Sequence, residues 1–195
     1  GMNLNHPNLY LLETARIADS IDAEQVERLA ERLCWLRADH GRLFLAGLGG
    51  SAANCSHAAS DFRKLCSIQA YALSDNVAEL TARANDEGWG SIYADMLTAS
   101  KANEKDALFV LSVGGGADGV SLPIIGAVKE AKKRGMPIFG IVGPRGGITK
   151  EDGDCVIVIP AVSADRITPH TEAFQMVVLH CLFSHPELQR SKTKW

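Results

Sequence analysis

Two glycine-rich turns, each directly after a short apolar run, constrain the fold of this chain more than any other feature. The first turn covers residues 47–51, after the apolar run 42–46 and before a helix-prone run over 52–65. The second turn begins at Ser112, at the end of the apolar run 107–112. Glycine lets a backbone approach an anion closely, and a helix N-terminus offers unpaired N–H groups and a positive dipole end. The order of strand, glycine turn and helix therefore predicts an anion-binding turn.

The spacing of these glycines excludes two common phosphate-binding motifs. It matches neither the dinucleotide-binding fingerprint nor the NTPase loop, which ends in Gly-Lys-Ser/Thr. The prediction therefore depends on the two turns together. We expect phosphate, sulfate or a sugar phosphate at the second turn, near Ser112, Gly114, Gly115 and Gly116.

Five short apolar runs alternate with helix-prone segments along the chain. This alternation predicts an α/β fold with a five-stranded, doubly wound parallel sheet, in which ligands bind beyond the carboxyl ends of the strands. The length of 195 residues fits one domain over 1–195, with a helical pair at 8–39 and an α/β core at 42–185. The predicted strands are 42–46, 69–73, 107–112, 137–142 and 155–159, and the last long helix is expected from about Thr171 to Phe183.

Composition narrows the class of partner and the compartment. The formal net charge is −3 and no basic patch stands out, which argues against direct binding of nucleic acid. Five scattered cysteines without metal-type spacing indicate reduced thiols in a cytoplasmic protein. No apolar run approaches the roughly 18 residues of a membrane span, so we expect no membrane partner. Gly1 before Met2 is interpreted as an expression scar and is left out of the fold prediction.

The leading helical pair has two interpretations that the sequence leaves open. Leu9 and Leu12 begin an apolar stripe on the first helix, and Val26, Leu29 and Leu33 form one on the second. Since both helices precede the first strand, neither is a crossover between strands. The stripes therefore pack either against a partner subunit or against the sheet of this chain.

A series of short motifs runs along most of the chain, at residues 47–54, His57, 74–75, 85–86, the turn at Ser112, 146–147 and 164–167. Taken in this order, the motifs resemble those of sugar isomerase (SIS) domains. Within that family they look most like the phosphoheptose isomerases, which convert sedoheptulose 7-phosphate to a heptose 7-phosphate. The resemblance implies a five-stranded sheet, a homotetramer and a site at a subunit interface.

Aldose–ketose isomerisation needs one group that removes a proton from carbon and another that moves protons on the oxygens. A carboxylate and a histidine can do both, and a bound metal can polarise the carbonyl. His57 and Asp61 are four residues apart, so they share one face of a helix. Glu172 and His180 are eight apart, which is roughly 12 Å along a helix, so they reach one ion only if their side chains converge.

The resemblance implies roles for these residues. Asp61 and His180 are the implied acid/base groups, and zinc is the implied ion. The implied zinc ligands are His57, Asp61, Glu172 and His180. The implied contacts to a phosphorylated sugar are Leu48, Gly49, Gly50, Ser51, Asn85, Asp86, Ser112, Val113, Gly114, Gly115, Gly116, Ala117 and Glu172.

The chain departs from the family pattern at positions that bear on the chemistry. Asp61 stands where a glutamate is usual and is one methylene shorter, while Glu172 replaces a glutamine and adds negative charge. Leu48 replaces an asparagine in the first turn. In the second turn the usual Ser-Thr-Ser-Gly-Asn-Ser becomes Ser-Val-Gly-Gly-Gly-Ala over 112–117, with three hydroxyls lost. Asp118 is able to cap the following helix and to compete for the N–H donors that an anion would use.

Purely structural interpretations compete with these roles. His57 and Asp61 suit a surface pair, and His180 suits a satisfied core histidine. His170, beside a proline, is predicted to lie on a surface loop, and Cys55 and Cys66 are predicted to be buried. The alternative function is a non-catalytic SIS protein that binds a sugar phosphate or acts as a scaffold. Residues 51–54 and 75–77 resemble a replication-initiator-associated protein of that kind.

Overall fold

The computed structural model describes residues 4–195, and the predicted expression scar at Gly1 lies outside the described residues. Five strands form a single, all-parallel sheet in the order β2-β1-β3-β4-β5, so the predicted doubly wound sheet is confirmed. The central strand β3 is buried along its whole length, as its apolar sequence predicts. The strands are β1 Arg42–Ala46, β2 Gln69–Ala72, β3 Ala107–Ser112, β4 Ile138–Val142 and β5 Cys155–Val158.

Helices cover both faces of this sheet. One apolar cluster includes Leu29 and Phe62, and the other includes Tyr93 and Ile124. Two layers of helices thus bury the two faces of the parallel strands. No helix within residues 4–195 is long and apolar enough to cross a membrane. The helices are α1 His6–Ser20, α2 Ala23–Ala38, α3 Gly50–Cys66, α4 Val77–Asp86, α5 Ile92–Ala99, α6 Leu122–Lys133, α7 Gly147–Asp152 and α8 Ile167–Phe183.

The two leading helices differ in how far their apolar stripes are buried. The stripe of α2 packs into the core of this chain, so the intramolecular interpretation is correct for that helix. The buried residues of α1 are only Glu13 and Ile17. Leu11 of α1 is 65% exposed. A subunit contact through α1 therefore stays a prediction.

Two helix boundaries differ from those that the sequence predicts. The helix expected from about Gly119 begins at Leu122, because Asp118 and Ser121 adopt left-handed backbone conformations that no α-helix continues through. The last helix begins at Ile167, about one turn before the predicted Thr171. Pro169 lies within its first turn, where a missing N–H costs no intrahelical bond.

Candidate active site

Helices α3 and α8 carry the candidate site. Each begins after the carboxyl end of a strand, and the two pack against each other. Phe62 of α3 and Phe183 of α8 are in edge-to-face contact, with ring centroids 4.9 Å apart. Nearer the start of the helices, Asn54 Nδ2 donates to the backbone oxygen of Glu172 at 3.0 Å and to Gln175 Oε1 at 2.8 Å. These contacts fix the register of the two helices.

Two turns into α3, three predicted site residues converge. His57 Nε2 lies 3.0 Å from Asp61 Oδ2, as the spacing of four predicts. The ring of His180, from α8, lies edge-on to that of His57 with centroids 5.1 Å apart. One ligand atom from each of the three residues lies within 4.8 Å of the other two. We call His57, Asp61 and His180 the histidine–aspartate cluster.

The chemistry of this cluster suits a divalent metal. Both histidines are exposed and Asp61 is half-buried, so ions and substrate have access. Two imidazoles and one carboxylate form one of the ligand sets of catalytic zinc sites, which keep a fourth position open for water or substrate. His180 faces the exposed side of α8, so the alternative of a core histidine does not fit.

Glu172 is not a member of the cluster. Its carboxylate lies at the opposite end of the helix pair, against Gly50, where a Cβ built on that glycine would overlap it. Eight residues of helix, roughly 12 Å, separate Glu172 from His180 along α8. The predicted convergence of these two side chains on one position is therefore not seen.

The second feature of the site is a small cavity between the carboxyl ends of the strands, which we call the glycine pocket. Its volume is about 270 Å³. Eight of its ten lining residues were predicted as substrate contacts, and Ser121 and Thr168 were missed. Ser121 precedes a helix, the usual place of a capping serine, but makes no capping bond. The lining residues are Leu48, Gly49, Gly50, Ser51, Ser112, Val113, Gly114, Ser121, Thr168 and Glu172.

The two predicted anion turns are not equivalent. At the first, Gly49 directly precedes α3 with a positive φ of 59°, and no side chain caps the helix, as the sequence predicts for a glycine turn at a helix start. At the second, Gly115 N donates to Ser112 Oγ at 2.9 Å, so this N–H is already used. A Cβ on Gly115 would overlap the carbonyl of Gly146, so this glycine is required for close packing of two loops.

The remaining predicted contacts lie outside the glycine pocket. Gly115, Gly116 and Ala117 are not among its lining residues. Asn85 and Asp86 are exposed at the end of α4, where Asn85 Nδ2 donates to Asp86 Oδ1 at 2.9 Å. They do not line the pocket either, so their contact with substrate stays a prediction.

The predicted capping role of Asp118 is wrong. Asp118 forms a salt bridge with Arg145, and no side chain caps α6. Its backbone is left-handed and it precedes the helix by four residues, which puts its carboxylate out of reach of the first turn.

Comparison with known proteins identifies the family. The family model of the SIS domain matches residues 10–143. The chain belongs to the SIS domain family. It is 33% identical over 168 residues to a phosphoheptose isomerase of Chlorobaculum tepidum, covering 80% of this chain and 78% of that protein. A phosphoheptose isomerase of Mycobacterium tuberculosis is 29% identical over 181 residues, covering 90% of this chain and 88% of the relative.

Solved structures confirm the SIS fold. A phosphoheptose isomerase of Neisseria gonorrhoeae superposes with a TM-score of 0.79 at 24% identity, covering 90% of this chain and 94% of that one. A phosphoheptose isomerase of Francisella tularensis gives a TM-score of 0.78 at 24% identity, covering 94% and 97%. All four of these proteins are named phosphoheptose isomerases.

A larger cavity than the glycine pocket lies elsewhere in this SIS domain. It has a volume of about 650 Å³ and lies beside the edge strand β2. None of the predicted site residues lines it. Its Arg42 is already bound to Asp106 at 2.7 Å, and its Arg63 lies over the ring of Tyr71. We therefore place the candidate site at the helix pair rather than in the larger cavity.

The predicted loop position of His170 is wrong. His170 lies in α8 with 3% of its surface exposed, and its Nε2 is 3.0 Å from Glu13 Oε1. Arg166 donates to both carboxylate oxygens of Glu13 at 2.7 and 2.8 Å. Hydrogen bonds from Arg166 and then His170 lower the pKa of Glu13 to about 2. This SIS domain therefore uses His170 to join α1 to α8.

Proposed function

We propose that this SIS domain interconverts the aldose and ketose forms of a phosphorylated sugar at the histidine–aspartate cluster. The observation that carries the proposal is the convergence of His57, Asp61 and His180 on an accessible surface. It is supported by the 33% identity to a phosphoheptose isomerase over 80% of the chain. Sedoheptulose 7-phosphate is therefore the first substrate to test.

The roles of the cluster follow from the reaction. One group must take a proton from the carbon beside the carbonyl, and a second must move protons between the oxygens. Asp61 offers a carboxylate base, and His180 offers an imidazole that can carry a proton between the substrate oxygens. The 3.0 Å contact of His57 with Asp61 holds that carboxylate in place. These assignments are proposals that rest on the positions of the side chains.

The same residues fit a zinc ion. His57, Asp61 and His180 would hold it, and their ligand atoms are already close together without Glu172. When bound, the ion supplies polarisation of the substrate carbonyl. In this proposal Glu172 lines the glycine pocket and is not a ligand of the ion.

The substrate would extend from the cluster toward the glycine pocket. The two lie at opposite ends of one helix pair, roughly 10–12 Å apart along α3 and α8. The hydroxyls of Ser51 and Ser112 and the glycine start of α3 favour this pocket as the place for the far end of the sugar. The implied contacts of Asn85 and Asp86 would then need a rearrangement or a second subunit.

We further propose that the protein forms a homotetramer and acts in the cytoplasm. The exposed Leu11 and Leu12 of α1 support a subunit contact. The five free cysteines support a reducing compartment. Burial raises the pKa of the Cys55 and Cys66 thiols, which agrees with their predicted place in the core. Light scattering at micromolar concentration should show a species of four chains, and a monomer would contradict the subunit contact.

Exchange of carbon-bound protons with solvent tests the reaction directly. Sedoheptulose 7-phosphate and other sugar phosphates are incubated with the protein in deuterated water, with added zinc or with a chelator, and followed by NMR. We expect deuterium at C1 of the ketose and at C2 of the aldose that forms from it. A protein that exchanges neither a C1 proton of a ketose phosphate nor the C2 proton of an aldose phosphate under either condition would contradict the proposed function.

A further inference from the structure

The carboxylate of Glu172 occupies an unusual place. It lies against Gly50, the first residue of α3, where a Cβ would overlap both of its oxygens. The N-terminus of α3 carries the positive end of the helix dipole, and no side chain caps it by a hydrogen bond. A ligand anion would bind at this position in a glycine turn of this kind. The protein thus holds one of its own anions there.

A polar network fixes Glu172 at this end of the helix pair. Asn54 donates to the backbone oxygen of Glu172 at 3.0 Å and to Gln175 Oε1 at 2.8 Å. Gln175 Nε2 in turn donates to Ser51 Oγ at 3.1 Å, and Gln175 is fully buried. The start of α8 is thereby tied to the start of α3. The position of the Glu172 carboxylate is a consequence of this packing.

Charge is distributed unevenly around the glycine pocket. Among its ten lining residues, Glu172 is the only one with an ionisable side chain. The lining contains no lysine, arginine or histidine that would balance a phosphate. A dianionic phosphate in this pocket would meet a carboxylate without a compensating cation, and like charges in one site oppose binding strongly. Uncharged hydroxyl groups would meet no such opposition.

We propose that Glu172 determines the charge selectivity of the glycine pocket. Its carboxylate competes with a ligand phosphate for the N-terminus of α3, so a phosphate binds in this pocket less tightly than it would beside an uncharged residue at position 172. The inference rests on the proposed function for the identity of the sugar only. The competition itself concerns any phosphate, including the free ion.

Calorimetry with a charge-removing variant tests this competition. Binding of inorganic phosphate, sedoheptulose 7-phosphate and unphosphorylated sedoheptulose is measured with a chelator present, so that no metal contributes. Glu172→Gln keeps the shape of the side chain and removes its charge. Glu104→Gln is the matched control, because Glu104 is exposed and precedes β3. It therefore lies near the amino ends of the strands, whereas the glycine pocket lies at their carboxyl ends.

We expect Glu172→Gln to bind both phosphate-containing ligands at least about tenfold more tightly than the parent protein, and to bind sedoheptulose unchanged. Glu104→Gln should match the parent for all three ligands. Glu172→Ser removes the charge as well as the length of the side chain. It should show the same direction if the glutamine variant does not fold.

Two results would overturn the inference. One is phosphate binding by the Glu172 variants that is no tighter than that of Glu104→Gln, including no detectable binding by any of them. The other is an equal gain for sedoheptulose, which would make Glu172 a steric rather than an electrostatic barrier. Neither readout requires turnover, so an inactive protein that gains phosphate affinity would refute only the isomerase. An active protein without the gain would refute only the role of Glu172.

Discussion

Two histidine–carboxylate pairs in this protein have the same separation of 3.0 Å and opposite surroundings. His170 and Glu13 are buried, and Arg166 binds both oxygens of the carboxylate. His57 and Asp61 lie on α3 at the surface, with His180 of α8 as a third member. Distance alone therefore does not separate a structural pair from a functional one.

The difference lies in what each pair leaves available. Both oxygens of Glu13 are already bound, and the pair is closed to solvent, so it joins α1 to α8 and offers little to a ligand. The open pair has spare ligand atoms, access to solvent and a second imidazole within reach. Those are the properties that metal binding and proton transfer require.

Replacing His180 and His170 by asparagine, one at a time, should separate their roles. His180→Asn should lower turnover of sedoheptulose 7-phosphate by at least about 10²-fold without changing the fold, because it removes proton transfer near neutral pH. His170→Asn should lower the melting temperature and leave the turnover of the folded protein unchanged. Turnover and thermal melts are measured on both variants.

His40→Asn is the matched control for both changes. His40 is exposed and has a positive φ of 57°, a conformation that asparagine tolerates, so activity and stability should be retained. A large loss of turnover in folded His170→Asn, with His180→Asn fully active, would reverse the assignment of the two pairs.

Substitutions at Asp61 should sharpen the contrast. Asp61→Asn removes the negative charge and should lower turnover by about 10²-fold. Asp61→Glu restores the usual family residue and its longer reach, and we expect it to retain or raise activity. Steady-state kinetics on both variants check the prediction. An Asp61→Asn variant as active as the parent would remove this carboxylate from the mechanism.

The buried pair of Glu13 and His170 should change how the free energy of unfolding depends on pH. Arg166 and His170 hold the pKa of Glu13 at about 2, below that of an unfolded glutamate, so the stabilisation is complete above about pH 4.3. It should be lost progressively as the pH falls from there toward 2. Urea unfolding across this range should therefore show a smaller loss of stability for Glu13→Gln than for the parent.

Glu104→Gln serves again as the control, because Glu104 is exposed and its loss leaves Glu13 paired. That variant should follow the parent curve. Equal slopes for the parent and Glu13→Gln would show that the pair does not stabilise the folded state.

Local patterns predict much of this structure. The strands follow from apolar runs, and the pairing of His57 with Asp61 follows from a spacing of four on one helix. The glycine turn at the start of α3 also follows from a local sequence pattern. The geometric difficulty of bringing Glu172 and His180 to one ion also follows from helix length, and the two side chains are indeed apart.

Non-local contacts account for what the sequence does not predict. His170 was predicted to lie on a surface loop because it follows a proline, whereas its actual partner Glu13 is 157 positions away in the chain. The late start of α6 accompanies the close approach of Gly115 to Gly146–Gly147, two loops whose contact no local pattern reveals. Whether Gly115 binds an anion or packs a loop was likewise undecidable from its own neighbours. The family resemblance selected the candidate residues, but only the fold shows which of them lie together and which lie apart.

Zinc-edge anomalous diffraction from crystals grown with zinc tests the central claim most directly. The open histidine–aspartate cluster, and not the buried pair, is the metal-binding centre in this account. We therefore predict one strong peak bonded to His57, Asp61 and His180, with Glu172 still against Gly50. A peak at Glu172 or at the Glu13–His170 pair, or no peak at the cluster under saturating zinc, would contradict it.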